Sequence, residues 1–319
     1  MFESILRTIV TSIFEAAPLA LATLGIVLIF KTSFTTNFAQ GSIGTVGSFV
    51  ASYLILATPT IDGTIPTVTA LTLFLAIVVG VVFGFILGLL VDILIFRNSR
   101  YINSGGKQII TMGLVLVISG VIPMVFGSQN RTLPRLGSNV GGILQKFFQT
   151  IIDFFIQFGV TIRIHQLIGF FLSVILLAII FIALRYTKWG LGVRATASNE
   201  IVAGMMGINT RIITAMSWAI AGGLGTVAAI LIASSRGSAG SVVPYLMINT
   251  QVQAFFSSIL GGFSTFGGPM IGVLIFSLLK NFFSIYLSPW GMTSVYIFIL
   301  VVVLIKPLGL FGKKIAKKV

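Results

Sequence analysis

Nine long apolar runs, near residues 9–30, 40–57, 67–96, 109–126, 165–184, 212–233, 248–260, 269–287 and 293–306, take up most of the chain. Crossing the hydrocarbon of a bilayer takes about 20 residues of α-helix, and inside it every backbone N–H and C=O must be satisfied internally. Runs of this length and number are expected to fold as a bundle of membrane helices, and the connections between them leave no room for a soluble domain. The prediction is an all-α polytopic protein of roughly 8–10 spans, organised as one transmembrane domain over residues 1–319. Composition agrees. Hydrophobic residues make up 56% of the chain and charged ones 8%, with a mean hydropathy of +1.11, whereas soluble domains are about 45–50% apolar.

A net charge of +14 would point to a polyanionic partner in a soluble protein. Here the basic residues gather in a few connections, as cytoplasmic loops require, so nucleic acid is set aside. Lys313, Lys314, Lys317 and Lys318 mark the C-terminus as cytoplasmic. Counting back through the spans puts 97–108 (Arg97, Arg100, Lys107) and 185–211 (Arg185, Lys188, Arg194, Arg211) on that side. The connection 127–164 carries Arg131, Arg135, Lys146 and Arg163 on the outer face, where a long loop feels the charge bias less. The opening MFESILRTIV has no basic region leading into a compact apolar core and cleavage site, so no removed signal peptide is expected. Cysteine is absent, which excludes disulfides and thiolate sites.

The chemistry available is narrow. Of six acids, Glu3, Glu15, Asp62, Asp153 and Glu200 fall in loops or near span ends, and Asp92 lies about one turn from Arg97, within reach of the headgroups. Lys280, beside Asn281, is the one plausible intramembrane charge, and a lysine near a span end usually snorkels. Proton-driven transporters keep ionisable groups deep in the bundle, so few parts for a proton relay are present. His165 is alone and reads as an interfacial hydrogen-bonder. No catalytic constellation, metal cluster or cofactor motif is evident, and an enzyme is not expected. Gly105-Gly106-Lys107-Gln108 is not a phosphate-binding loop, so any ATPase driving transport must be another chain.

Two apolar runs carry unusual polarity. In 37–57, Gly41, Gly44 or Thr45, Ser48 and Ser52 form a small-residue stripe, which suits close helix packing or the lining of a pathway. The segment just before, 31–40, is too polar for a lipid-facing helix and predicts a broken backbone held against protein or a water cavity. In 248–268, Asn249, Gln251, Gln253, Ser257 and Ser258 lead into Gly261-Gly262 and Gly267-Gly268-Pro269, a short polar-faced span closed by a tight turn. On the pathway reading the candidate residues are Asn37, Gln40, Ser42, Thr45, Asn249 and Gln253. Residues 143–158 repeat Gln145, Gln149, Asp153 and Gln157 at steps of four among Ile, Leu and Phe. This reads as an amphipathic helix on the outer surface, serving as an anchor or as a rim for an extracytoplasmic partner.

The polar island 185–211 contains a helix of about two turns, with Ser198 or Asn199 as N-cap and Gly207 just past its end. Ile201, Val202, Met205 and Met206 exceed what a short exposed helix needs, and adaptable methionines suit a docking surface. A re-entrant cap packed on its own chain would carry the same pattern.

The run Arg194-Ala195-Thr196-Ala197-Ser198-Asn199, followed by Met206-Gly207-Ile208-Asn209-Thr210-Arg211, resembles the cytoplasmic coupling segment of ABC importer permeases of the branched-chain amino acid (leucine/isoleucine/valine) family. Asn37-Phe38-Ala39-Gln40-Gly41 is similar to that family's N-F-A-H-G. Ile259-Leu260-Gly261-Gly262 through Gly267-Gly268-Pro269-Met270-Ile271-Gly272 resembles its second glycine-rich stretch, and Pro307-Leu308-Gly309-Leu310-Phe311-Gly312 its ending. The resemblance departs at Gln40, where histidine is common, and at Ser42, where an acid is frequent. Ala203 and Gly207 match the permease pattern E-A-A-x-x-x-G, but Ile201 takes the acid's place and Glu200 precedes it by one.

The resemblance implies a permease in a bacterial cytoplasmic (inner) membrane, working with a second, homologous permease, two cytoplasmic ATP-binding subunits and an extracytoplasmic binding protein. Coupling would fall to Arg194, Asn199, Glu200, Ala203, Met206 and Gly207. The cargo it implies is a branched-chain or other hydrophobic amino acid. Urea, amides, nucleosides or sugars are the alternative within the superfamily, and an ATP-independent secondary transporter is a further one.

Overall fold

The computed structural model describes residues 2–56, 68–99, 102–137, 142–237 and 240–312; Asp62, Arg100 and the lysines from Lys313 onward lie outside them. Among the described residues twelve α-helices follow in order: α1 (Phe2–Ser33), α2 (Gln40–Leu56), α3 (Ala70–Val91), α4 (Ser104–Phe126), α5 (Ile143–Ile156), α6 (Ile164–Tyr186), α7 (Lys188–Ser198), α8 (Glu200–Met205), α9 (Thr210–Ser235), α10 (Ile248–Gly261), α11 (Gly267–Tyr286) and α12 (Gly291–Ile305). A π-helical turn, Asp92–Phe96, extends α3. Two-residue strands β1 (Arg131–Thr132) and β2 (Ser241–Val242) pair antiparallel. Among the described residues six helices are long and apolar enough to cross a bilayer: α1, α3 with its π turn, α4, α6, α9 and α11. The three other apolar runs form the shorter helices α2, α10 and α12.

The centre of the bundle is α9 against α1. The two run antiparallel, since Trp218 Nε1 near the start of α9 donates to Ser33 Oγ at the end of α1 (3.2 Å). Around them the helices form two matched sets. In the first, α2 packs on α3 and both pack on α9; in the second, α10 packs on α11 and both pack on α1. Because α1 and α9 point in opposite senses, the second set is the first one inverted. Glycines make the crossings close. A Cβ at Gly44 would meet the Gly225 carbonyl, one at Gly88 the Trp218 carbonyl, and one at Gly272 the Ser257 carbonyl. Such small-residue crossings bring backbones together where no hydrophobic effect separates helix from lipid. The stripe on α2 is used in this way, with Thr45, Ser48 and Ser52 buried.

The expected break near 31–40 is present. α1 ends at Ser33, Phe34 takes φ 50°, and 34–39 turns back along α4. Ser104 Oγ donates to the Phe34 carbonyl (2.7 Å), and seven residues further along α4 the Thr111 hydroxyl accepts from Phe38 N–H (3.2 Å). Gln40 Nε2 then reaches the Ala22 carbonyl (3.0 Å), about 16 Å from the end of α1 at 1.5 Å per residue. α2 therefore begins deep in the bundle. The inverted counterpart is 240–247, which returns inward through β2 from the far end of α9 to α10.

The structure corrects four expectations. Asp92 does not reach outward; it is 4% exposed because it continues, at a step of four, the face of α3 buried at Gly80, Gly84 and Gly88, and it borders a small polar cavity shared with Arg97, Lys107, Glu200 and Arg211. Lys280 does not snorkel, and Glu15, within α1, is not in a loop: they pair with each other at 3.0 Å between α1 and α11, both half-buried. The polar island holds two helices rather than one. α7 was hidden by Gly190 and Gly192, poor helix formers that are needed because side chains there would meet the Ala183 and Leu184 carbonyls and Ile213.

Candidate functional site

One end of the bundle carries α8, and the clustering of charge there follows from chain order. Pro307 and Leu308 lie with Ala197, Lys31 and Ser264 around one groove, and Arg97 and Lys107 share the Asp92 cavity with Glu200 and Arg211. Arg97 and Lys107, the connection 185–211 and the segment at Pro307 thus share one face of the molecule.

α8 is short and well delimited. Asn199 Oδ1 accepts from Ile201 N–H (3.0 Å) and Val202 N–H (3.1 Å), and the helix closes with Ile208 N–H on the Ala203 carbonyl (3.0 Å). That closure needs Gly207 at φ 84°, a conformation glycine adopts without steric cost. Only Ala203 turns inward. Ile201 is 72% exposed, Met205 79% and Met206 77%, so this apolar face has no partner among the described residues. Arg194, on α7, is exposed, and its guanidinium lies near the Arg185 carbonyl (3.4 Å).

Deep in the bundle the starts of α2 and α10 meet. Gln251 Oε1 accepts from Gly41 N–H (2.9 Å) while its Nε2 donates to the Asn37 carbonyl (2.8 Å). One side chain thereby closes two backbone groups that the broken helix leaves open, as a bilayer requires. Asn37 Oδ1 accepts from Ala39 N–H (2.9 Å). Asn37 Nδ2 and Gln40 Oε1 are buried without hydrogen-bond partners among the described residues. An apolar groove of about 330 Å³, flanked by Phe38, Ser42, Leu116, Met247 and Val252, opens from this junction onto the outer surface of α4 and α10. Gln251→Leu is expected to lower thermal stability in detergent, at about 1–3 kcal/mol for each buried group left unpaired. A melting temperature equal to wild type would contradict the junction.

The six pathway candidates are not brought to one place. Asn37, Gln40 and Thr45 are buried in the packing, Ser42 faces the groove, Asn249 is exposed, and Gln253 turns to a separate polar cavity beside Glu15 and Lys280. Gln251, Glu15 and Lys280 were absent from that set. The polar run on α10 was visible in sequence, but nothing local says that Gln251 rather than Asn249 faces inward, since its partner is 210 residues away.

A sequence profile described as "Branched-chain amino acid transport system / permease component" matches residues 8–305. The chain is 30% identical over 302 residues to the "Probable branched-chain amino acid transport permease protein LivH" of Methanocaldococcus jannaschii, covering 92% of this chain and 88% of the relative. It is 25% identical to the high-affinity branched-chain amino acid transport system permease protein LivH of Escherichia coli, covering 94% and 93%. It is 22% identical to the corresponding permease protein BraD of Pseudomonas aeruginosa over 98% of each. No solved structure matches.

Proposed function

We propose that this chain, which belongs to the branched-chain amino acid transport permease family, forms one half of the membrane pathway of an ABC importer for branched-chain or other hydrophobic amino acids. Its partners are a second, homologous permease, two cytoplasmic ATP-binding subunits and an extracytoplasmic binding protein. The face carrying α8 is cytoplasmic, as is the C-terminus. Residues 1–319 act as one domain, in which 185–211 couples to the ATPase and α5 lies at the outer rim.

The observation that carries this reading is the uncovered apolar face of α8, where Ile201, Met205 and Met206 are each more than two-thirds exposed. An ATPase groove receiving that face would move α7 and, through Glu200, the polar cavity around Asp92. Arg194, Asn199, Ala203 and Gly207 set the shape of this element. The groove on α4 and α10 would be roofed by the second permease, placing Ser42 and the Gln251 junction on the pathway between the two chains. Inverted sets of helices with broken segments meeting deep in the bundle suit alternating access. The relatives named above are all branched-chain amino acid permeases, which favours that cargo over amides or sugars.

Purification with a tagged chain is the test. ATP-binding subunits and a second permease are expected to co-elute, and proteoliposomes of the full assembly with loaded binding protein should accumulate L-leucine only with internal ATP. Accumulation by this chain alone would overturn the proposal.

A further inference from the structure

Glu15 and Lys280 come from the first and the eleventh helix, 265 residues apart, and meet at 3.0 Å. Asn281 Nδ2 extends the cluster to Ser12 Oγ (3.0 Å) and to Glu15 Oε2 (3.4 Å). At 1.5 Å per residue, Glu15 lies about 27 Å from the Ser33 end of α1 and Lys280 about 20 Å from the Gly267 end of α11. Both are within helices that cross the bilayer, toward the face opposite α8. Ionisable groups within membrane helices, even toward one end of the span, mark solute or ion routes when they face a cavity. These do face one. The pair borders a cavity of about 270 Å³, and Lys280 and Glu15 keep 30% and 38% of their side-chain surface uncovered. A pair serving only to tie two helices has no need of that opening.

The lining is divided in character. Gln253 and His165 join the ion pair as polar groups, while Phe14, Leu19 and Leu231 supply apolar surface. Pro18, inside α1, also borders the cavity and has no N–H to give to the Phe14 carbonyl one turn earlier, which adds an acceptor beside Glu15. Adjacent positive and negative groups facing apolar walls in a space of this size match a small zwitterion with an aliphatic side chain.

We propose that this cavity is a solute-binding station for an α-amino acid: Lys280 takes the carboxylate, Glu15 with the Phe14 carbonyl takes the ammonium, and the side chain lies against Leu19 and Leu231. Helix α10 presents Gln253 to this station and Gln251 to the junction with α2, so displacement of α10 acts on both. The inference rests on the reading as an amino acid importer and names where within this chain the solute is held.

The test uses the full assembly in proteoliposomes with binding protein saturated with L-leucine. The double variant Glu15→Gln/Lys280→Met removes both charges together, leaving neither one stranded. It is expected to assemble and melt as wild type but to lower the maximal L-leucine uptake rate about tenfold or more, the size of effect that follows from losing hydrogen bonds to charged groups. Assembly with uptake within about twofold of wild type overturns the proposal. If the double variant does not assemble, the exchange Glu15→Lys/Lys280→Glu restores the tie between helices. Wild-type uptake in the exchange, or failure of both variants to assemble, assigns the pair to structure and overturns the proposal; assembly with uptake lowered to a similar extent supports it. A wild-type assembly that moves no L-leucine, L-isoleucine or L-valine overturns the importer reading itself, and this station with it.

Discussion

Gly222→Leu is expected to leave no folded protein to purify. A side chain at Gly222 would begin inside the contact radius of the Gly84 carbonyl oxygen and close to Gly88 Cα, and a side chain at Gly88 would meet the Trp218 carbonyl. The atoms in the way are backbone of a neighbouring helix, so no rotamer change can relieve the overlap. Overpacking costs about 1–3 kcal/mol where side chains can shift; here the added Cβ already meets backbone, so Gly222→Ala is expected to cost at least that much. Leucine requires α3 and α9 to separate along the crossing at the centre of the bundle. Gly113→Leu on α4 is the control, because nothing lies within 4 Å of its added Cβ. Size-exclusion profiles and thermal unfolding in detergent distinguish the two; a monodisperse Gly222→Leu protein melting like wild type would reject the close crossing.

Replacing both Met205 and Met206 with aspartate is expected to lower ATP-driven uptake by about two orders of magnitude, with insertion and melting unchanged. Both side chains are more than three-quarters exposed, and surface substitutions of this kind change stability by only about ±0.5 kcal/mol. In an apolar docking groove the same aspartates would be buried unpaired, which costs about 2–5 kcal/mol at an interface. Gly207→Leu probes the same helix through its backbone. Space around Gly207 is open, so its cost is the left-handed conformation alone, about 1–2 kcal/mol, and it should partly uncouple ATP hydrolysis from uptake by re-aiming the end of α8. Full uptake in both variants would show that α8 is not gripped by the ATPase.

The way these helices came to be legible differs from one to the next. α8 could be read locally because its signals are local: Asn199 caps its own first turn and Gly207 supplies the positive φ that ends it. The break after α1 was visible because Lys31 to Gln40 is too polar to face lipid. α7 was missed because Gly190 and Gly192 weigh against a helix until the closeness of α6 and Ile213 is known. Asp92 and Lys280 were assigned to the headgroups by position along their spans, a rule that holds for side chains facing lipid and fails for those facing other helices. Gln251 went unselected because Asn249 and Gln253 beside it carry the same polarity.

Hydropathy along the chain was enough to establish a polytopic helical bundle, its nine apolar runs and the polar connections between them, because water and hydrocarbon sort residues by transfer free energy one segment at a time. Which polar groups are satisfied by one another was settled only in three dimensions. Glu15 with Lys280, Gly41 and Asn37 with Gln251, and Gly84 with Gly222 are each pairs far apart in sequence. Their energy comes from hydrogen bonds, charge and backbone contact at distances of a few ångströms, and such proximity between remote segments exists only once the helices have crossed.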